Sequence, residues 1–239
     1  MIDINFWNNK KVLITGYSGF KGYWLSLLLN QLGSNVLGIS KDGTSSEIFT
    51  ILNGIKTDSK NKNLDIVNSE KVNIEIKNIE PDVIFHFAAQ SLVISSQKNP
   101  KETLETNILG TFNVLNSLNS ISKRVACIVA TTDKVYKNPG KLNKESDELG
   151  SFEYYGASKV SVEHVVNSYN NDINSINKVT IVRSGNVLGG GDGGHNRILT
   201  DILYSINNKK ELVLRNPSSI RPWQFVLDSV GGYLLTAQE

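Results

Sequence analysis

Cysteine is all but missing: Cys127 is the one thiol in 239 residues. A lone cysteine excludes an internal disulfide framework and a cysteine-based metal site, and its apolar neighbours mark it as a core residue. Histidine is nearly as scarce. His86, His164 and His195 lie far apart and none has metal-ligand spacing, so no metal is expected. An excess of one charge is also lacking. The formal net charge is +2 and no basic run is dense enough to form a nucleic-acid patch. Long apolar runs are absent as well; the run from Leu25 to Leu29 contains Ser26 and is far too short to span a bilayer. Met1 to Asn5 shows no basic region followed by an apolar stretch, so no secretory signal is read there and a cytoplasmic location is expected.

What is present suits a globular chain. Apolar residues make up 39% and charged residues 20%, and the length can bury one large α/β core. Asparagine is abundant but scattered, with no tract and no internal repeat. Short β-branched runs alternate with helical patterns. Strands are predicted at Lys11 to Thr15, Asn35 to Ser40, weakly near Leu64, Val83 to Phe87, Val125 to Thr131 and Val179 to Val182. Helices are predicted at Gly22 to Leu32, Ser69 to Ile79, Thr103 to Leu118, Tyr155 to Asn170 and Asp228 to Glu239. This alternation implies right-handed βαβ crossovers and a doubly wound parallel sheet of the Rossmann type, with ligands at the strand ends.

Three strings carry chemistry. Gly16, Gly19 and Gly22 follow the first strand and open the first helix. Glycine permits the tight turn and lets backbone N–H groups and the helix N-terminus approach a pyrophosphate. Asp42, just beyond the second strand, is placed to bond an adenosine ribose, which favours NAD over its phosphorylated form. Tyr155 and Lys159 share a helix face at i and i+4, whereas Tyr154 has Ser158 at that spacing. An ammonium beside the phenol is expected to lower its pKa from about 10 toward neutrality, fitting it to exchange a hydroxyl proton during hydride transfer. Thr132, Asp133 and Lys134 end the preceding strand, and charges directly after a buried strand suggest a cleft.

These residues resemble the extended short-chain dehydrogenase/reductases, and the longer strings are similar to the CDP-glucose 4,6-dehydratases within them. The strings include Phe6-Trp7, Thr15 to Gly22, Trp24-Leu25-Ser26, Phe85 to Gln90, Thr131 to Tyr136, Gly185 to Asp192 and Arg221 to Gln224. Lys134 is the most specific mark, because related sugar-nucleotide dehydratases usually carry an acid there. The resemblance implies NAD as cofactor and dehydration of a nucleotide-activated hexose, with Thr132, Asp133, Lys134, Tyr155 and Lys159 catalytic. Tyr155 would take the 4-hydroxyl proton and Asp133 would protonate the leaving 6-hydroxyl; Lys134 would support the enolate, and the group removing the C5 proton stays open. It places Gly16, Ser18, Gly19, Phe20, Lys21, Gly22, Asp42, Asp65, Ile66, Phe87, Ala88, Ala89, Gln90 and Asn107 at the cofactor, with Tyr155 and Lys159. Gln90, Thr132, Asn186, Arg197 and Arg221 would meet the substrate. A homodimer through a four-helix contact of Thr103 to Leu118 and Tyr155 to Asn170 is implied.

Residues 1–187 are expected to form the NAD-binding domain. Residues 188–239 would begin a small substrate subdomain, interleaved with that core and truncated, because family members continue past the position matching Glu239. Gly193-Gly194-His195-Asn196 also departs from the Trp and acidic residues usual after Gly-Asp. A sugar-nucleotide epimerase or reductase, or a cofactor-binding form without catalysis, remain the alternatives.

Overall fold

The computed structural model describes residues 1–41, 60–138, 140, 142–173, 175–193, 197–214 and 217–239. After a single helical turn, α1 (Ile4–Trp7), the chain enters β1 (Lys11–Thr15), α2 (Phe20–Gln31) and β2 (Asn35–Ser40). There follow β3 (Lys60–Asn63), α3 (Ser69–Ile79), β4 (Val83–His86) and α4 (Val93–Lys98). Next come α5 (Pro100–Leu104), a π turn (Glu105–Leu109) and α6 (Gly110–Leu118). β5 (Ala126–Thr132) then leads through a 3-10 turn (Asp133–Val135) to α7 (Tyr154–Asn170) and β6 (Val179–Ser184). The last elements are β7 (Asn186–Leu188), α8 (Ile198–Asn207), β8 (Trp223–Phe225) and α9 (Val226–Gln238).

The six-stranded sheet runs β3-β2-β1-β4-β5-β6, with every pairing parallel. Alternate side chains of each strand leave on opposite faces, and both faces are covered. Val12, Ile14, Phe85 and Ile128 pack under α2 and α9, where Leu25, Leu29, Val230 and Leu234 are buried. Leu13, Ile84, Cys127 and Val129 pack under α3, α6 and α7, against Val72, Ile76, Leu115, Val162 and Val166. β1 is therefore apolar along most of its length because it is buried on both sides. α9 forms part of the same core, while β7 and β8 pair as a separate two-stranded parallel sheet.

The strand order reverses between β1 and β4. Helices that leave β1 and β4 on opposite faces part there and open a crevice at the carboxyl ends of the strands. Among the described residues, no helix is long and apolar enough to cross a membrane. None of them forms a group of three or more metal-binding side chains either.

Candidate active site

The crevice is a cleft of about 970 Å³. Its floor begins at the glycine turn. Gly16 has φ +72, a left-handed conformation that favours glycine, and a Cβ there would strike the backbone of Ala88. A Cβ on Gly22 would strike the carbonyl of Gly16. The turn thus needs hydrogen at both positions, and it closes with Gly19 N–H donating to Gly16 O at 3.0 Å. Gly19 caps α2 with no side-chain hydrogen bond, so the first amides of the helix face the cleft without an internal acceptor. Free amides, the positive helix end and a backbone stripped of Cβ atoms form a cradle of the kind a dinucleotide pyrophosphate fills.

The other residues expected at a cofactor fall along the same cleft. Ser18, Phe20, Lys21, Asp65, Ile66, Phe87, Ala88, Ala89 and Gln90 all line it. Asn107 is completely buried behind the wall rather than in it. It accepts from Gln90 N–H at 2.8 Å and donates to Gln90 O at 3.0 Å and Ser158 Oγ at 2.8 Å. Its place is in the π turn, where it holds Gln90 and α7 in position. Asp42 lies outside the described residues. Lys41, at the end of β2, bridges Glu102 at 3.2 Å and Asp65 at 3.6 Å across the mouth of the cleft.

Tyr155 and Lys159 enter from the opposite layer. Glu153 caps α7, accepting from the amides of Tyr155 at 2.9 Å and Gly156 at 2.6 Å, so the helix starts where Tyr155 can face the strand ends. The phenol hydrogen-bonds Thr132. In the 3-10 turn that follows, Asp133 Oδ1 accepts from Thr132 Oγ1 at 3.0 Å and from Lys134 Nζ at 3.4 Å. Thr132, Lys134, Tyr155 and Lys159 all line the cleft.

The expected acidification of the phenol is not found in this pocket. Burial pushes Tyr155 up to about 12, and the nearby Glu153 and Asp133 carboxylates add to the rise. Lys159 Nζ donates instead to the carbonyl of Ala130 at 3.0 Å. Burial, then the neighbouring Lys21 charge, brings Lys159 down to about 8, while Glu163 pulls the other way. Helical spacing puts phenol and ammonium on one face, but the lysine is long enough to reach a carbonyl of the adjacent strand.

On the substrate side, Asn186, Arg197 and Arg221 also line the cleft. Asn186 Oδ1 is buried without a hydrogen-bond partner. Arg197 is held by both oxygens of Asp192 at 2.6 and 2.7 Å, so much of its donor capacity is in use. Arg221 is exposed and donates to Ile220 O at 3.0 Å.

Lys21, expected at the cofactor, is joined by Tyr233, Glu163 and Arg183, which escaped the sequence reading. Lys21 Nζ spans the cleft floor to Ser184 Oγ at 2.6 Å and Tyr233 OH at 3.3 Å. Tyr233 sits in α9 against Phe87, ring centroids 4.7 Å apart. Glu163 and Arg183 form a buried pair under the strand ends. Of those three, only Glu163 had a local cue, its position one turn after Lys159.

The chain has relatives of known sequence and structure. The profile of the NAD dependent epimerase/dehydratase family matches residues 12–239. The CDP-glucose 4,6-dehydratase of Salmonella typhimurium is 38% identical over the whole chain, which spans 69% of that protein's length. The epimerase Mth375 of Methanothermobacter thermautotrophicus superposes with a TM-score of 0.84 at 25% identity, covering 98% of this chain and 70% of that one. DesIV, a dTDP-glucose 4,6-dehydratase from Streptomyces venezuelae solved with NAD, gives a TM-score of 0.81 at 22% identity, covering 95% and 72%.

Proposed function

Because the chain belongs to the NAD dependent epimerase/dehydratase family, we propose that it dehydrates a nucleotide-activated hexose, converting CDP-glucose to CDP-4-keto-6-deoxyglucose and water. The observation that carries this reading is one cleft lined by the glycine cradle, Tyr155, Lys159, Thr132 and Lys134, with Asp133 bonded to the last two from just behind the lining. The 38% identical relative names the substrate. Lys134, where related dehydratases usually have an acid, favours the CDP-glucose branch.

The cradle of Gly16, Gly19 and the α2 amides would hold the NAD pyrophosphate, and bound NAD would supply a two-electron store that is refilled within each turnover. The protein's own groups handle the protons. Once ionised, Tyr155 Oη takes the proton of the 4-hydroxyl; the positive charge of bound NAD would be the cation that brings the phenol down from about 12. The resulting 4-ketone makes the C5 proton acidic. Lys134 places a cation beside the developing enolate oxygen. Asp133, bonded to both Thr132 and Lys134, acts as a carboxylic acid: it gives its proton to the departing 6-hydroxyl, which leaves as water, and the proton lost from C5 restores it. Arg221 and Asn186 line the region where the diphosphate and sugar would lie, and a planar guanidinium suits a diphosphate.

Two copies pair through α5, α6 and α7. Leu109, Phe112 and Tyr154 expose about half of their surface on these helices and their flanks, an apolar set suited to a second copy. The test of the activity is incubation with CDP-glucose and NAD, followed by the absorbance of a 4-keto sugar in alkali. A keto product is expected; none at high enzyme concentration would refute the assignment.

A further inference from the structure

Glu163 carries a carboxylate in the core. Its side chain is 1% exposed, and it lies under the ends of β5 and β6, one helical turn beyond Lys159. Three elements converge on it. From β5, Thr131 Oγ1 donates to Oε1 at 2.8 Å, and Thr131 is the residue before Thr132. From β6, Arg183 Nε donates to Oε1 at 2.9 Å and Nη2 to Oε2 at 2.6 Å, and Arg183 precedes Ser184 at the cleft. The third element is α7 itself, which bears Tyr155 and Lys159. Arg183 extends the linkage: Nη1 donates to Tyr136 OH at 3.0 Å and Glu145 O at 2.9 Å, gripping the loop that follows the Asp133 turn.

A buried ion pair of this type stabilises a fold weakly, because desolvating both partners offsets most of their attraction. It does enforce geometry, since every lone pair and donor has one satisfactory direction. Thr131 could be replaced by an apolar residue of the same shape without loss of packing. What the cluster does uniquely is tie the Thr132 turn, the Tyr155 helix and the β6 end to one rigid point, with a negative charge near Lys159.

We propose that Glu163 is a positioning residue of the active site, fixing the Thr132–Asp133 turn against Tyr155 and keeping Lys159 protonated. Lys159 is otherwise surrounded by groups that disfavour its charge. Lys21 from α2 repels it, its surroundings are desolvated, and the ring of His86 in β4 is a neutral neighbour. Its direct bond is to the Ala130 carbonyl of β5, and Tyr155 of its own helix is neutral at ordinary pH. Glu163 is the anion that counters Lys21, and the guanidinium of Arg183 from β6, bonded to both its oxygens, offsets part of its charge. The positioning half of this inference rests on the dehydratase reading; the charge half does not.

Two conservative variants separate the halves. Glu163→Gln keeps the shape and removes the charge. NMR titration of ¹³C-labelled lysine in the full chain, with Lys159 assigned through Lys159→Arg, should show its midpoint lower by about one pH unit. An unchanged midpoint would overturn the charge role. If the Gln variant does not fold, Glu163→Asp retains the anion but draws it back by one methylene, and a smaller fall is expected; no fall overturns the role equally. Thr131→Val keeps all charges and cuts one tether. Its Lys159 midpoint should stay at the wild-type value while kcat on CDP-glucose drops roughly tenfold with KM little changed. Wild-type kcat in this variant would overturn the positioning role. A wild-type chain that converts no CDP-glucose would instead refute the dehydratase reading, leaving the titration to decide the charge role.

Discussion

At the scale of single residues, burial sets the protonation of the groups along the cleft floor. It holds Tyr155 neutral and weakens Lys159 as an acid-base partner, and it pushes His86 down to about 3. His86 is fully enclosed, bonded to Thr15 Oγ1 at 2.7 Å and Thr111 Oγ1 at 2.9 Å. Its unfolded counterpart titrates near the ordinary 6.5, so between about 6.5 and 3 the unfolded chain binds the extra proton and stability falls as pH falls. The loss should be roughly 1.4 kcal/mol per pH unit inside that window. Urea unfolding of wild type and His86→Gln at pH 7 and pH 5 checks it: the variant should lack that part of the pH slope, and parallel slopes would count against it. A second residue-scale prediction concerns Tyr155→Phe, which should abolish turnover while NAD still binds, as read by direct calorimetry; retained turnover would remove Tyr155 from its role. Spacing together with place exposed Tyr155 and Lys159: i and i+4 fix a shared face, and the pair opens a helix well after the glycine turn. Spacing could not expose the Ala130 carbonyl that captures Lys159, nor Arg183, whose charge in a short strand reads as solvent-facing until Glu163 is found beneath it.

At the scale of elements, helix starts aim the chemistry. Glu153 accepts two amides at the first turn of α7, so removing it loosens the turn that carries Tyr155. Glu153→Ala should cost about 1 kcal/mol in thermal or urea unfolding and lower kcat more than it raises KM. An unchanged kcat would show that the turn is held by packing alone. The predicted bounds of β1, β2 and α3 match the structure residue for residue, since strong apolar patterns end there at Asn, Gly or Ser. The helix expected as one piece from Thr103 to Leu118 is instead α5 and α6 joined by a π turn. One extra residue in a turn leaves too faint a phase shift to read across five positions. The short β7 and β8 went unpredicted because three residues carry no readable period, whereas α8 has apolar residues at helical spacing, Ile198, Ile202 and Ile206 among them, that the sequence reading passed over.

At the scale of the whole molecule, the parallel sheet and its reversal at β1 and β4 bring residues from positions 16 to 223 into one cleft. Alternating strand and helix patterns made that architecture legible, because a βαβ crossover has one favoured hand. The apolar surface on α6 and α7 carries a prediction at this scale: Phe112→Glu should yield monomers by light scattering with the fold intact, and an unchanged mass would place the interface elsewhere.

The central claim is that one sugar both gives up and regains hydride within a single cleft. CDP-glucose deuterated at C4 tests it directly. A 4-keto-6-deoxy product with deuterium at C6 is expected, with no net accumulation of reduced cofactor. Product without that label, or stoichiometric consumption of added reduced cofactor, would contradict it.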